Sequence, residues 1–200
     1  MFEYRDFEVF WDGAASLRVR DNEFTVAVDP SAENSRYEAG IVLITSGDEQ
    51  HFSREALKNV CGRGTCVVLP ESMRGVDVPC TDVEYVGPGD NLDIFSVEIE
   101  TLGSEDRISY RFDMRGTSFY VTGDSGFLNE VIELENRVDI AFLQASGEND
   151  FEEDDIVRTA VRIKPEIAVP YHYGRPFDDH VNLDNLKADL EDRNIKCRTP

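Results

Sequence analysis

The stretch Ile41-Val42-Leu43-Ile44-Thr45-Ser46-Gly47-Asp48-Glu49-Gln50-His51-Phe52-Ser53-Arg54-Glu55-Ala56-Leu57-Lys58 decides the fold. Its first four residues form a continuous apolar run, the pattern of a strand buried on both faces of a sheet covered by helices. Its last residues open a helix: Ser53 is a good N-cap, and Ala56, Leu57 and Val60 share one face. Gly62 or Gly64 is the expected end of that helix, and Cys66–Leu69 is the next buried strand. Between strand and helix lies a polar loop that holds Asp48, Glu49 and His51. In α/β sheets, ligands collect beyond the carboxyl ends of strands, where this loop sits.

Upstream, the chain alternates apolar and polar residues in the β manner. Phe7-Glu8-Val9-Phe10, Ser16-Leu17-Arg18-Val19 and Phe24-Thr25-Val26-Ala27-Val28 read as strands, and Val28-Asp29-Pro30 closes the last of them. Phe10 and Trp11 read as core. Downstream, Val86–Asp90 is a turn, and Leu92–Glu100, Ile108–Asp113 and Ser118–Val121 read as a β-meander. Val138–Leu143 is a buried strand. Phe151–Ile163 is a helix stopped by Pro165, and Ile167-Ala168-Val169 is the strand it leads to. Val181–Leu190 is an amphipathic helix and Ile195–Arg198 a last short strand. This order predicts an α/β protein with a four-layer αββα sandwich, two mixed β-sheets flanked by helices. With 200 residues the chain suits a single domain over 1–200.

Forty-one acidic against 20 basic residues give a formal net charge of −21. Such an anion repels phosphate backbones and anionic bilayers, which excludes general nucleic-acid binding and membrane-surface attachment. The acids are spread along the chain, and 16 of the basic residues are Arg against four Lys. A uniformly acidic, lysine-poor surface reads as halophilic adaptation, because at about 1 M salt the Debye length is roughly 3 Å and carboxylates no longer repel at range. The alternative is an ordinary acidic cytosolic protein. Met1–Asp12 lacks the charged and apolar regions of a signal peptide, and no apolar run is long enough to span a bilayer. Four cysteines in 200 residues do not make a disulfide scaffold, so the expectation is a cytoplasmic protein with reduced thiols, Cys61 and Cys66 among them.

Metal-capable residues stand at three strand ends. His51 follows Ile41–Ile44, Asp124 follows Ser118–Val121, and His172 follows Ile167–Val169. Two histidines and a carboxylate suit Zn²⁺, Mn²⁺ or Fe²⁺. The third histidine, His180, reads as a solvated loop or cap residue. Gly123-Asp124-Ser125-Gly126 is similar to the nucleophile stretch of trypsin-like proteases, but Phe127-Leu128 follows where those enzymes have glycine and proline, and the late helices contradict an all-β protease.

These landmarks resemble the metallo-β-lactamase superfamily, in particular its branch related to L-ascorbate-6-phosphate lactonase. The family's early Gly-His-Ala-Ser is similar to Gly13-Ala14-Ala15-Ser16, and its Asp-Pro strand end to Asp29-Pro30. Its Thr-His-x-His-x-Asp-His, often followed by Phe-Ser, corresponds to Thr45–Ser53. Its His-x-Gly-Asp-Thr corresponds to Val121-Thr122-Gly123-Asp124-Ser125, and its closing Lys-Pro…Pro-x-His-Tyr-Gly to Lys164-Pro165…Pro170-Tyr171-His172-Tyr173-Gly174.

The resemblance implies two metals on seven positions, of which this chain keeps His51, Asp124 and His172. Ser46, Asp48 and Val121 replace the first metal's histidines, and Gln50 replaces an aspartate of the second site. The implied activity is metal-dependent hydrolysis of an ester, lactone or phosphodiester in a small-molecule substrate. It would use one zinc or manganese ion on His51, Asp124 and His172, with Gln50 or water in the fourth place. Asp48 is a further candidate ligand, and Asp48 and Asp124 are the candidate catalytic residues. Arg54, Arg115 and Arg175 are the candidate basic patch for a phosphorylated substrate. The alternative is a catalytically silent homologue with an eroded metal site that serves as a binding or assembly module. Homo-oligomerisation is left open.

Overall fold

A computed structural model of the chain describes residues 1–145, 153–173 and 181–199. The described residues form two compact units, Met1–Gly87 with Ser104–Ile108 and Pro88–Gly103 with Ser109–Thr199.

The first unit holds a seven-stranded sheet laid down in chain order: β1 (Phe2–Tyr4), β2 (Phe7–Gly13), β3 (Ser16–Arg20), β4 (Thr25–Val28), β5 (Ala39–Leu43), β6 (Cys61–Pro70) and β7 (Asp82–Val86). Strands β1 to β4 are antiparallel, as short turns require, and β4 to β7 are parallel. The crossover from β5 to β6 is α1 (Arg54–Val60), whose N-cap Ser53 accepts a hydrogen bond from Ala56 N. Leu57 and Val60 pack with Val42, Ile44, Val67 and Leu69, so the apolar face expected from the sequence covers the sheet.

The second unit repeats the plan. Its sheet is β8 (Asn91–Ile94), β9 (Val97–Gly103), β10 (Ile108–Met114), β11 (Thr117–Val121), β12 (Ile140–Gln144), β13 (Ile167–Tyr171) and β14 (Lys196–Cys197), again in sequence order across the sheet. Pairs β8/β9 and β10/β11 are antiparallel, and β11 to β14 run parallel. Helices α2 (Glu153–Ile163) and α3 (Leu183–Glu191) pack Ile156, Ala160, Ile163, Leu186 and Leu190 against Tyr120, Ala141, Leu143 and Ala168. The chain is thus an α/β protein of two mixed seven-stranded sheets flanked by helices, as the sequence predicts. Among the described residues no helix is long and apolar enough to cross a membrane.

Several elements differ from expectation. Helix α1 does not run to a glycine: Cys61 already has extended backbone, and Gly62 and Gly64 lie inside β6. Leu92–Glu100 is two strands, broken at Phe95-Ser96, which both take positive φ (52° and 65°) in a two-residue hairpin turn. The break shows as a phase shift, because Leu92 and Ile94 alternate on one register and Val97 and Ile99 on the other. Phe10 and Trp11 are half-buried rather than core. Arg18 lies over the Phe10 ring, and Trp11 Nε1 donates to Ala14 O. The thiol expectation holds for Cys66 and Cys197 and fails for Cys61 and Cys80. Cys61 and Cys80 form a disulfide across 5.9 Å between Cα atoms, because the parallel pairing of β6 with β7 returns Cys80 to the start of β6. Cys66 and Cys197 are buried free thiols, each pushed up to about 11 by burial. Gly174, Arg175, His180 and most of the acidic run Glu148–Asp155 lie outside the described residues.

Candidate functional site

Each unit gathers polar side chains at the carboxyl ends of its parallel strands. In the first unit, Asp29 follows β4 with φ of 45° and is buried. It accepts hydrogen bonds from Thr45 N at 2.8 Å and Thr45 Oγ1 at 2.7 Å. Burial pushes its carboxyl up to about 7, against the charge of His51 and the two Thr45 bonds, which pull it down.

The Thr45–His51 loop is pinned from several sides. Ile44 N donates to Val68 O, Thr45 O accepts from Ile108 N at 2.8 Å, and Ser46 bridges to Arg107. Asp48 closes a turn of its own. Its Oδ1 accepts from Gln50 N at 2.8 Å and His51 N at 3.2 Å, and its two oxygens stand 2.8 and 2.9 Å from His51 Nδ1. A carboxylate only accepts, so Nδ1 carries a proton and donates it to Asp48. Partial burial works against ionisation of Asp48. The hydrogen bond and charge of His51, with bonds from Ser46 and Gln50, more than offset it and hold the carboxyl well below the usual carboxylate range. His51 is buried, whereas Asp48 and Gln50 are exposed.

In the second unit, β11, β12 and β13 lie side by side and end at one edge. Asp124 follows β11, Gln144 ends β12, and His172 follows β13. Gln144 Nε2 donates to Asp124 Oδ1 at 3.1 Å, and Gln144 N donates to Thr122 Oγ1 at 2.9 Å. Ser109 and Ser125 both donate to Thr122 O at 2.7 Å, which holds the Asp124 loop against the sheet. His172 is buried and takes a left-handed φ of 59°, unusual for a side chain with a ring. Gln144 was not among the residues singled out from the sequence. Its signal is a polar residue directly after the buried run Val138–Leu143.

Arg54 is paired with Asp77 at 2.7 Å, and Arg115 sits in the β10–β11 turn, at the end of β11 opposite Asp124. Arg175 lies outside the described residues.

A sequence model of the β-lactamase superfamily domain matches residues 8–172. The chain belongs to the metallo-β-lactamase superfamily. A metal-dependent hydrolase of Thermoplasma acidophilum is 22% identical over 93% of this chain and 88% of its own length. A protein of Parabacteroides distasonis, described as a metal-dependent hydrolase, has the same fold: TM-score 0.84, 22% identity, 96% of this chain and 92% of that one. A metallo-hydrolase from the archaeon Ignicoccus hospitalis matches with TM-score 0.80 at 15% identity over 97% and 94% of the two chains.

Such relatives imply a metal cofactor, and the residues present here were tested against it. They do not fit a two-metal centre. Val121 has no donor atom and is sealed in the core as the last residue of β11, and Ser46 offers only a neutral hydroxyl. Among the described residues, no three His, Cys, Asp or Glu side chains are grouped to hold a metal ion. Asp48 is engaged with the His51 ring.

Proposed function

We propose that this protein is a superfamily member whose metal centre has been dismantled, and that it works by binding or assembly rather than by metal-dependent hydrolysis. The observation that carries this reading is the set of side chains on the first metal's positions. Ser46 and Val121 are buried in place without ligating power, and Asp48 is turned onto His51. Two-metal hydrolases clamp the attacking and leaving oxygens between their ions, and without one ion that clamp is gone. The test is the metal content of the purified protein, by elemental mass spectrometry in molar salt after dialysis against zinc and then manganese. No stoichiometric metal is expected. One bound ion per chain, lost in Asp124→Ala, would overturn the reading.

A second reading is favoured by one contact. A carboxylate hydrogen-bonded to one ring nitrogen commonly orients a metal-ligating imidazole, and Asp48 makes such a bond to His51. On that reading the protein is a one-ion zinc or manganese hydrolase of lactones, esters or phosphodiesters, related to the ascorbate-phosphate lactonases. Turnover of such substrates that depends on added metal would support it. On either reading the acidic, lysine-poor surface supports a salt-adapted protein.

A further inference from the structure

We propose that the Cys61–Cys80 disulfide is a redox-operated latch on the segment that buttresses the Gly47–His51 loop. The inference holds for both readings above, because it concerns the loop and not what the loop binds.

The segment in question, residues 71–81, joins β6 to β7. It opens with a single 3₁₀ turn, Glu71–Met73, whose Met73 is buried beside Ile44, Leu57 and Leu69. Met73 also packs directly on the candidate loop. Its Cγ, Sδ and Cε atoms stand 3.3, 3.5 and 3.6 Å from where a Cβ on Gly47 would lie. Gly47 immediately precedes Asp48, so a shift of Met73 is felt at the residue that holds the His51 ring.

Little else secures the end of this segment. After Val76 N bonds to Met73 O, no backbone–backbone hydrogen bond among the described residues ties residues 77–80, which have no regular structure. Asp77 pairs with Arg54, but both side chains are largely exposed, and such a pair is weak and screened by salt. Val78 packs on the core cluster from its edge. Cys80 packs there too, and it is tied covalently to Cys61 where α1 hands over to β6.

The four cysteines divide by accessibility. Cys61 and Cys80 are partly exposed, whereas Cys66 and Cys197 are buried, with their thiols held protonated. A thiol reductant therefore meets the bonded pair and not the free thiols. With a dithiol such as dithiothreitol, one thiolate attacks a sulfur of the pair and the S–S bond breaks as a mixed disulfide forms. The second thiolate of the reductant then displaces the protein. Cys61 and Cys80 leave as two thiols after taking up two protons, and the reductant leaves as a cyclic disulfide.

The test is hydrogen–deuterium exchange with mass spectrometry on the full chain in molar KCl, with and without dithiothreitol. Reduction should speed exchange by about tenfold at the hydrogen-bonded amides of residues 74 and 76 and of residues 50 and 51, leaving β4 and β5 protected, and reoxidation by a disulfide such as oxidised glutathione should restore it. A Cys61→Ser, Cys80→Ser double variant should show the reduced pattern under both conditions; should it not fold, the reversible cycle on the native chain decides alone. Three results would overturn the proposal: Cys61 and Cys80 alkylated in protein prepared without reductant, looser residues 71–80 with 47–51 unchanged, or global unfolding on reduction.

Discussion

Asp29 makes a prediction opposite in sign to that of an ordinary surface carboxylate. Burial raises its carboxyl from 3.8 to about 7. Between those values the folded chain keeps a proton that the unfolded chain has lost, so stability falls as pH rises. The contribution is fully present below the unfolded value and lost as pH climbs through the folded one. Roughly three pH units at about 1.4 kcal/mol each give a loss of about 4 kcal/mol. Asp29→Asn is neutral throughout and removes this dependence, whatever constant offset it adds by altering the two Thr45 hydrogen bonds. Urea unfolding of both proteins in molar KCl, at about pH 4 and about pH 8, isolates the effect, since titrating groups not coupled to Asp29 cancel in the difference. The variant should gain about 4 kcal/mol relative to the native chain between the two conditions. Parallel stability curves would refute the reasoning and show that the Thr45 donors hold Asp29 ionised despite its burial.

Two further expectations concern the local fold and the surface. Ser53→Ala removes the side chain that accepts from Ala56 N at 3.2 Å and should cost about 1 kcal/mol in urea unfolding. The melting temperature should rise from low salt to molar KCl, because screening relieves the repulsion of a net charge of −21; a flat or falling curve in a thermal scan would reject salt adaptation.

What was legible in the sequence is what is local. The buried run Ile41–Ile44, the Ser53 cap, the apolar faces of α1 and α2, and the loops that carry Asp29, His51, Asp124 and His172 all follow from periodicity and from turn and cap chemistry. The superfamily was legible too, since its landmarks are short stretches at strand ends. The edge strands β1 and β7 were not read as strands, although Val83 and Tyr85 alternate with acids in β7.

The tertiary structure decided which distant groups meet. Cys80 reaches Cys61 only because parallel strands return the chain to the same sheet edge, which no cysteine spacing states. Gln144 finds Asp124 because β12 lies beside β11, 20 residues away along the chain. Asp29 holds its proton because folding strips water from a carboxyl that looks like any other aspartate in the sequence. Periodicity is written residue by residue, whereas partners and desolvation arise only when strands far apart in the chain are brought side by side.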